Sequence, residues 1–210
     1  MSIYLPVAPL DWRERLALYC EIIEGWAESR TQRFSILEVG VFRGDLSQKI
    51  HEHFAGRIDR FVGVDPFLGT PDDAYFAGYW NKDQNVAEEQ FIRTNVIFQN
   101  LGATLLRLTS DSYFDKSEDK FDVIIIDGDH RRFQCEKDLI ASLTKLKSGG
   151  LLMCDDYANP DHPGVTEAVL AFDRAHSGSF SAAGLRFIFF NNEARRMPFP
   201  LGVAYWRYNN

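Results

Sequence analysis

Phe121 to Asp127 reads FDVIIID, a run of aromatic and β-branched residues without polar alternation, closed by an acid. A strand with one face in water alternates apolar and polar residues, whereas a strand covered on both faces does not. This segment therefore belongs inside a parallel sheet with helices on either side. SILEVG at Ser35 to Gly40, RFVGVD at Arg60 to Asp65, Thr104 to Leu108 and Leu151 to Asp155 read as further strands. Helical spacing separates them at Asp45 to Phe54, Gln84 to Leu101, Phe133 to Lys147 and Val165 to Ala175, with Gly149-Gly150 read as a helix stop. Leu10 to Arg30 is a leading helix, with Trp12, Leu16, Tyr19, Ile23 and Trp26 on one side. Leu185 to Phe190 and Gly202 to Arg207 are late strands close enough in sequence to pair antiparallel at the sheet edge. Repeated strand-then-helix order predicts a doubly wound, Rossmann-like α/β sheet with ligands beyond the carboxyl ends of its strands.

Size and composition agree with one domain over residues 1–210. A chain of 210 residues, 45% hydrophobic, can bury roughly 70% of its unfolded surface. Its net charge of −7, with both signs interspersed, offers no footprint for nucleic acid. No apolar run approaches the roughly 20 residues of a membrane span, and no secretion signal is visible. Cys20, Cys135 and Cys154 lie far apart in sequence without a CxxC pair, so they read as reduced thiols of a cytoplasmic protein.

Four groups of residues carry candidate chemistry. Gly40 and Gly44 bracket the turn after the first strand in a GxxxG spacing. That turn lacks the middle glycine that admits a pyrophosphate, which argues against a dinucleotide and leaves room for a nucleoside. Asp65 ends the second strand, where an acid can accept ribose hydroxyls. Thr109-Ser110-Asp111-Ser112 reads either as an adenine-edge contact or as a polar turn with a helix cap. Asp127-Gly128-Asp129-His130 and Asp155-Asp156-Tyr157 follow neighbouring strands and gather carboxylates and an imidazole in one cleft. Clustered carboxylates repel unless something positive lies among them, and Mg²⁺ prefers such oxygen donors. A further segment, Pro66 to Asn81, is rich in aromatics, glycine and proline, and reads as a lid or substrate loop.

ILEVGVFRG, FVGVDPF, TSDS, FDVIIIDGDH, LKSGGLLMCDDY and the late strand pair occur in the order of class I S-adenosylmethionine-dependent methyltransferases. The IDGDH and GGLLMCDDY segments resemble the methyltransferase family 24 group, which is similar to macrocin-type sugar O-methyltransferases and to catechol O-methyltransferases. The resemblance implies a mostly parallel seven-stranded sheet with an antiparallel edge strand and helices on both faces. It implies S-adenosylmethionine as cofactor, bordered by Glu38, Gly40 and Gly44 at the methionine end, Asp65 at the ribose, Asp111 and Ser112 at the adenine, and Asp127. It further implies Mg²⁺ on Asp127, Asp155 and Asp156, with Asp127 and His130 catalytic and His130 the base. The expected acceptor is a small sugar-like or phenolic hydroxyl compound; neither nucleic acid nor membrane is an expected partner, and homodimer formation stays open. A nucleoside-binding protein, or a metal-dependent relative that transfers no methyl group, is the alternative use of the same pocket.

Overall fold

Unbroken apolar strands demand cover on both faces, and the fold supplies it. The computed structural model describes residues 12–68, 84–192 and 197–209. Within them the chain runs α1 (Trp12–Ala27), β1 (Phe34–Val39), α2 (Asp45–His53), β2 (Ile58–Val64), α3 (Gln84–Asn100), β3 (Thr104–Leu106), α4 (Ser110–Lys116) and β4 (Phe121–Ile126). It continues through α5 (Arg132–Leu143), β5 (Leu146–Tyr157), α6 (Pro163–His176), a 3-10 turn (Ser177–Ser179), β6 (Phe180–Asn192) and β7 (Met197–Tyr208). The strands form one sheet in the order β3-β2-β1-β4-β5-β7-β6. Strands β1 to β5 pair in parallel, and the expected antiparallel pair closes one side, with β7 running against both β5 and the outermost β6.

Successive side chains of a strand face opposite ways. Ile36, Val123, Ile125, Leu151 and Met153 accordingly pack with Tyr19, Ile23 and Trp26 of α1, Ile50 of α2 and Phe98 of α3. Leu37, Ile124, Ile126, Leu152 and Cys154 pack with Leu139 of α5 and with Val169 and Phe172 of α6 on the other face. Each such side chain contributes roughly 1.5–3 kcal/mol by leaving water. From β1 the sheet grows outward through β2 and β3, and from β4 the opposite way through β5. The direction of winding thus reverses between β1 and β4, which is where an α/β sheet opens a crevice.

Two local expectations are corrected. The helix expected to reach Lys147 ends at Leu143, and the glycine pair lies within β5 instead of stopping a helix. Phe121 pairs with Leu146 and Val123 with Leu151, so the stretch between is bulged, with Gly149 at φ +69°. Its carbonyl accepts hydrogen bonds from Trp26 Nε1 (2.9 Å) and Arg30 Nη2 (2.6 Å), which anchors the end of α1. The TSDS stretch opens a short helix, α4, whose N-cap Thr109 accepts from the Ser112 amide at 3.2 Å. Only seven residues long, α4 carries too little apolar period to be read from sequence. Of the cysteines, Cys135 and Cys154 are distant in sequence yet meet with their sulfurs 3.8 Å apart; all three are free and buried. No helix among the described residues is long and apolar enough to cross a membrane.

Candidate active site

The loop after β1 is held in shape by two features. Gly40 has φ +86°, and a Cβ built on it would lie 1.9 Å from the Asp127 carbonyl oxygen, so the β1 and β4 loops touch backbone to backbone there. Asp65, at the end of β2, takes up the loop's free amides. Its Oδ2 accepts from Val41 and Phe42 N–H, both at 2.9 Å, and its Oδ1 accepts from Phe67 N–H at 2.6 Å. Phe42 and Phe67 both have left-handed backbones, at φ 52° and 51°. Burial raises the Asp65 pKa, and the three amides oppose that shift. Asp65 is therefore a clasp for two loops as well as a wall of the cleft.

The cleft beyond these loops has a volume of about 270 Å³. Gly40, Phe42, Asp65 and Pro66 form one side, and Asp127, Gly128, Asp129 and Arg131 another. Thr109, Ser110, Asp111, Gln134 and Asp138 line the remainder. Gln134 ties this end together, since its Nε2 donates to Asp111 Oδ1 at 3.0 Å and to Asp138 Oδ1 at 2.9 Å. Lys137 Nζ donates to Asp111 Oδ2 at 2.6 Å; with Gln134 it holds the Asp111 pKa below the ordinary value. Asp138 is 1% exposed, and burial pushes its pKa up to about 6.

Beside the cleft lies the acidic cluster. Adjacent strand residues should point to opposite faces, yet Asp155 and Asp156 both reach it. The reason is a β-bulge: Cys154 pairs with Ala204 but Tyr157 with Gly202, so β5 carries an extra residue, and Asp156 has φ 56°. Asp127, Asp155 and Asp156 consequently bring carboxylate oxygens within 4.8 Å of one another. The cation among them is one the sequence did not suggest. The Arg15 guanidinium of α1 lies 3.7 Å from Asp127 Oδ2, 3.7 Å from Asp156 Oδ1 and against Asp155 Oδ2. Asp155 is 2% exposed, and its Oδ1 has no hydrogen-bond partner among the described residues.

His130 Nε2 lies 3.0 Å from Asp156 Oδ2, and its ring stacks on His162, with centroids 3.7 Å apart. Burial works against ionisation of Asp156. The hydrogen bond with His130 and the charges of Arg15, His130 and His162 outweigh it and hold the carboxyl well below the usual range. Asp127 behaves oppositely. Although 22% of its side chain is exposed, desolvation pushes its pKa up to about 7, with Arg15 opposing the shift and Asp156 adding to it.

The expected site residues divide. Gly40, Asp65, Asp111 and Asp127 line the cleft; Asp155, Asp156 and His130 gather beside Asp127. Glu38, Gly44 and Ser112 do not line it. Strand alternation turns Glu38 toward α2, where it is 1% exposed and accepts from the Ser47 hydroxyl, and burial raises its pKa well above normal. Gly44 is the left-handed N-cap of α2, and Ser112 spends its amide on the Thr109 cap. Of Pro66 to Asn81, Pro66 lines the cleft, Phe67 is buried against Phe91 and Leu68 stands exposed at the lip. The rest of that segment, and with it the expected lid, lies outside the described residues. Sequence reading missed Arg15, His162 and Asp138. Two of these left a trace: Arg15 shares a helical stripe with Tyr19, Ile22 and Trp26, and Asp138 shares one with Cys135, Leu139 and Ser142. A charge on a buried stripe requires a partner.

Residues 37–157 match a family model described as Methyltransferase domain. No curated protein sequence matches the chain. Among solved structures, the N-methyltransferase NodS from Bradyrhizobium japonicum WM9, in complex with S-adenosylhomocysteine, aligns with a TM-score of 0.64 at 11% identity, over 94% of this chain and 87% of NodS. An O-methyltransferase from Bacillus cereus, also with S-adenosylhomocysteine, aligns at 0.55 with 14% identity, over 96% and 82% of the two chains. TomG, an O-methyltransferase from Streptomyces achromogenes in complex with S-adenosylmethionine, aligns at 0.54 with 16% identity, over 92% and 81%. At these identities the likeness establishes the fold. The matched span covers more than half of the sequence and takes in the glycine turn, the Asp65 clasp, the IDGDH loop and the Asp155–Asp156 bulge, so the chain belongs to the Methyltransferase domain family and has the class I methyltransferase fold.

Proposed function

We propose that this protein transfers the methyl group of S-adenosylmethionine to a hydroxyl of a small sugar-like or phenolic acceptor. One observation carries the reading: Asp127 is a wall of the cleft and a member of the carboxylate cluster that adjoins His130. Cofactor pocket and proton-handling groups would thus share a residue, which puts a methyl donor and an acceptor oxygen side by side. The cleft suits a nucleoside in kind: the tight Gly40 turn and the Asp127 loop it touches line it together, and Asp65 and Asp111 add carboxylates to the lining. The cofactors held by NodS, the Bacillus enzyme and TomG support the same assignment.

Oxygen is favoured over nitrogen as acceptor on chemical grounds. A neutral amine attacks with its own lone pair, but a hydroxyl must lose a proton, and a positioned base assists that loss. His130 would take that proton, with Asp156 orienting the ring and stabilising the imidazolium, as a carboxylate behind a catalytic imidazole does. Asp127, Asp155 and Asp156 fit Mg²⁺ in donor type, and the unpartnered Asp155 Oδ1 supports a cation there. Bound by these residues, the ion would lower the pKa of a coordinated acceptor hydroxyl.

Calorimetry with S-adenosylmethionine and S-adenosylhomocysteine tests the cofactor. Methyl transfer to phenolic and sugar hydroxyls, in chelator and in added Mg²⁺, tests the chemistry. Cofactor binding without turnover on any hydroxyl would favour the nucleoside-binding alternative. Full turnover in excess chelator would remove Mg²⁺ from the scheme.

A further inference from the structure

We infer that Arg15 and a divalent cation compete for one position between Asp127, Asp155 and Asp156, which makes the first turns of α1 a displaceable plug on the acidic cluster. The inference rests on the cluster being the cation site proposed above.

Arg15 neutralises the cluster imperfectly. A guanidinium pairs best when two parallel N–H groups meet one carboxylate. Arg15 instead spreads over three, with Nη2 toward Asp127 and Asp155 and Nη1 toward Asp156. Its buried Nε and the buried Oδ1 of Asp155 both lack a hydrogen-bond partner among the described residues. Beyond the guanidinium, the nearby imidazoles of His130 and His162 lie on the Asp156 side, so Asp127 and Asp155 share Arg15 as their close cation among the described residues. A compact dication answers both defects, because it accepts oxygens from several directions and carries the second charge. Both cations would occupy the space between the same oxygens, so one excludes the other.

Among the described side chains, the firmest anchors of the helix lie toward its other end. Its far end is fixed by Trp26 and Arg30 on the Gly149 carbonyl, and Tyr19, Ile23 and Trp26 are buried in the core. Of the described side chains in its first turns, Leu16 is partly buried, and Arg15 supplies the ion pairs. Release of Arg15 would lift the start of α1, and that would open the acceptor side of Asp127.

Competition has two readouts other than activity. In a Mn²⁺ titration followed by electron paramagnetic resonance, Arg15→Gln should bind roughly tenfold more tightly than the unmodified protein, within the usual range of coupling between sites. Arg15→Lys, which keeps the charge, should stay near the unmodified affinity, and adding Asp155→Asn to Arg15→Gln should abolish the gain. In the unmodified protein, saturating Mn²⁺ should speed hydrogen exchange in the first turns of α1 while its Trp26 end stays protected, a measurement that needs no variant to fold. Equal affinities in Arg15→Gln and the unmodified protein, or α1 exchange indifferent to bound Mn²⁺, would overturn the competition and leave the cation site standing. Mn²⁺ binding to neither protein would remove the cation site and the competition together.

Discussion

Replacing Asp65 by alanine should damage the fold as well as the pocket. From sequence, a strand-end acid looks dispensable for packing. In the structure it accepts three backbone hydrogen bonds, from Val41, Phe42 and Phe67. Bonds to a charged group contribute roughly 1.5–3 kcal/mol each. Two effects reduce the sum: burial of the carboxylate, seen in its raised pKa, is a cost that alanine removes, and freed amides beside an open cleft can bind water. A net loss near 1 kcal/mol per bond, about 3 kcal/mol in total, is then the expectation. For a chain of this size 1 kcal/mol shifts the melting temperature by roughly 2–4 °C, so Asp65→Ala should melt roughly 6–12 °C lower. Asp65→Asn keeps one carbonyl acceptor and should lose about half as much. Differential scanning calorimetry measures the shift, and titration with S-adenosylhomocysteine should show weakened binding in parallel. A melting temperature within about 2 °C of the unmodified protein would refute the clasp, since fewer than one net bond would then have been lost.

Three further outcomes follow from single contacts. Gly40→Ala should cost more than about 3 kcal/mol in urea denaturation, because its Cβ would overlap the Asp127 carbonyl at 1.9 Å; an unchanged midpoint would show that the two loops part freely. Burial lifts the Asp138 pKa from an ordinary 3.8 to about 6, so its contribution is fully present below the lower value and lost as pH rises through the higher. Asp138→Asn should therefore gain on the unmodified protein between pH 4 and pH 7.5, by at most about 3 kcal/mol, and a gap constant across urea melts at the two pH values would contradict this. His130→Ala should keep its affinity for S-adenosylhomocysteine while turnover falls by roughly 10²–10⁴-fold in steady-state assays, and normal turnover would assign the base elsewhere.

Features that depend on neighbours along the chain were legible in the residues alone. FDVIIID and SILEVG could only be strands covered on both faces, and each ends in a loop whose place at the crevice follows from strand-helix alternation alone. Gly40, Asp65, Asp111 and Asp127 could be set around one cleft for that reason. Asp155 and Asp156 were legible as a pair, but strict alternation would have parted them. Only pairing with β7, which follows them by some fifty residues, fixes the bulge that turns both to one side. Glu38 and Asp127 are both acids at strand ends and look alike in sequence. Strand phase buries the first against Ser47 and opens the second to the cleft. The positive charge that the clustered carboxylates require was also foreseeable, but its source was not. Arg15 reaches the cluster because α1 packs along β5, and a docking between segments more than a hundred residues apart leaves no periodic trace beyond one charge on a buried stripe.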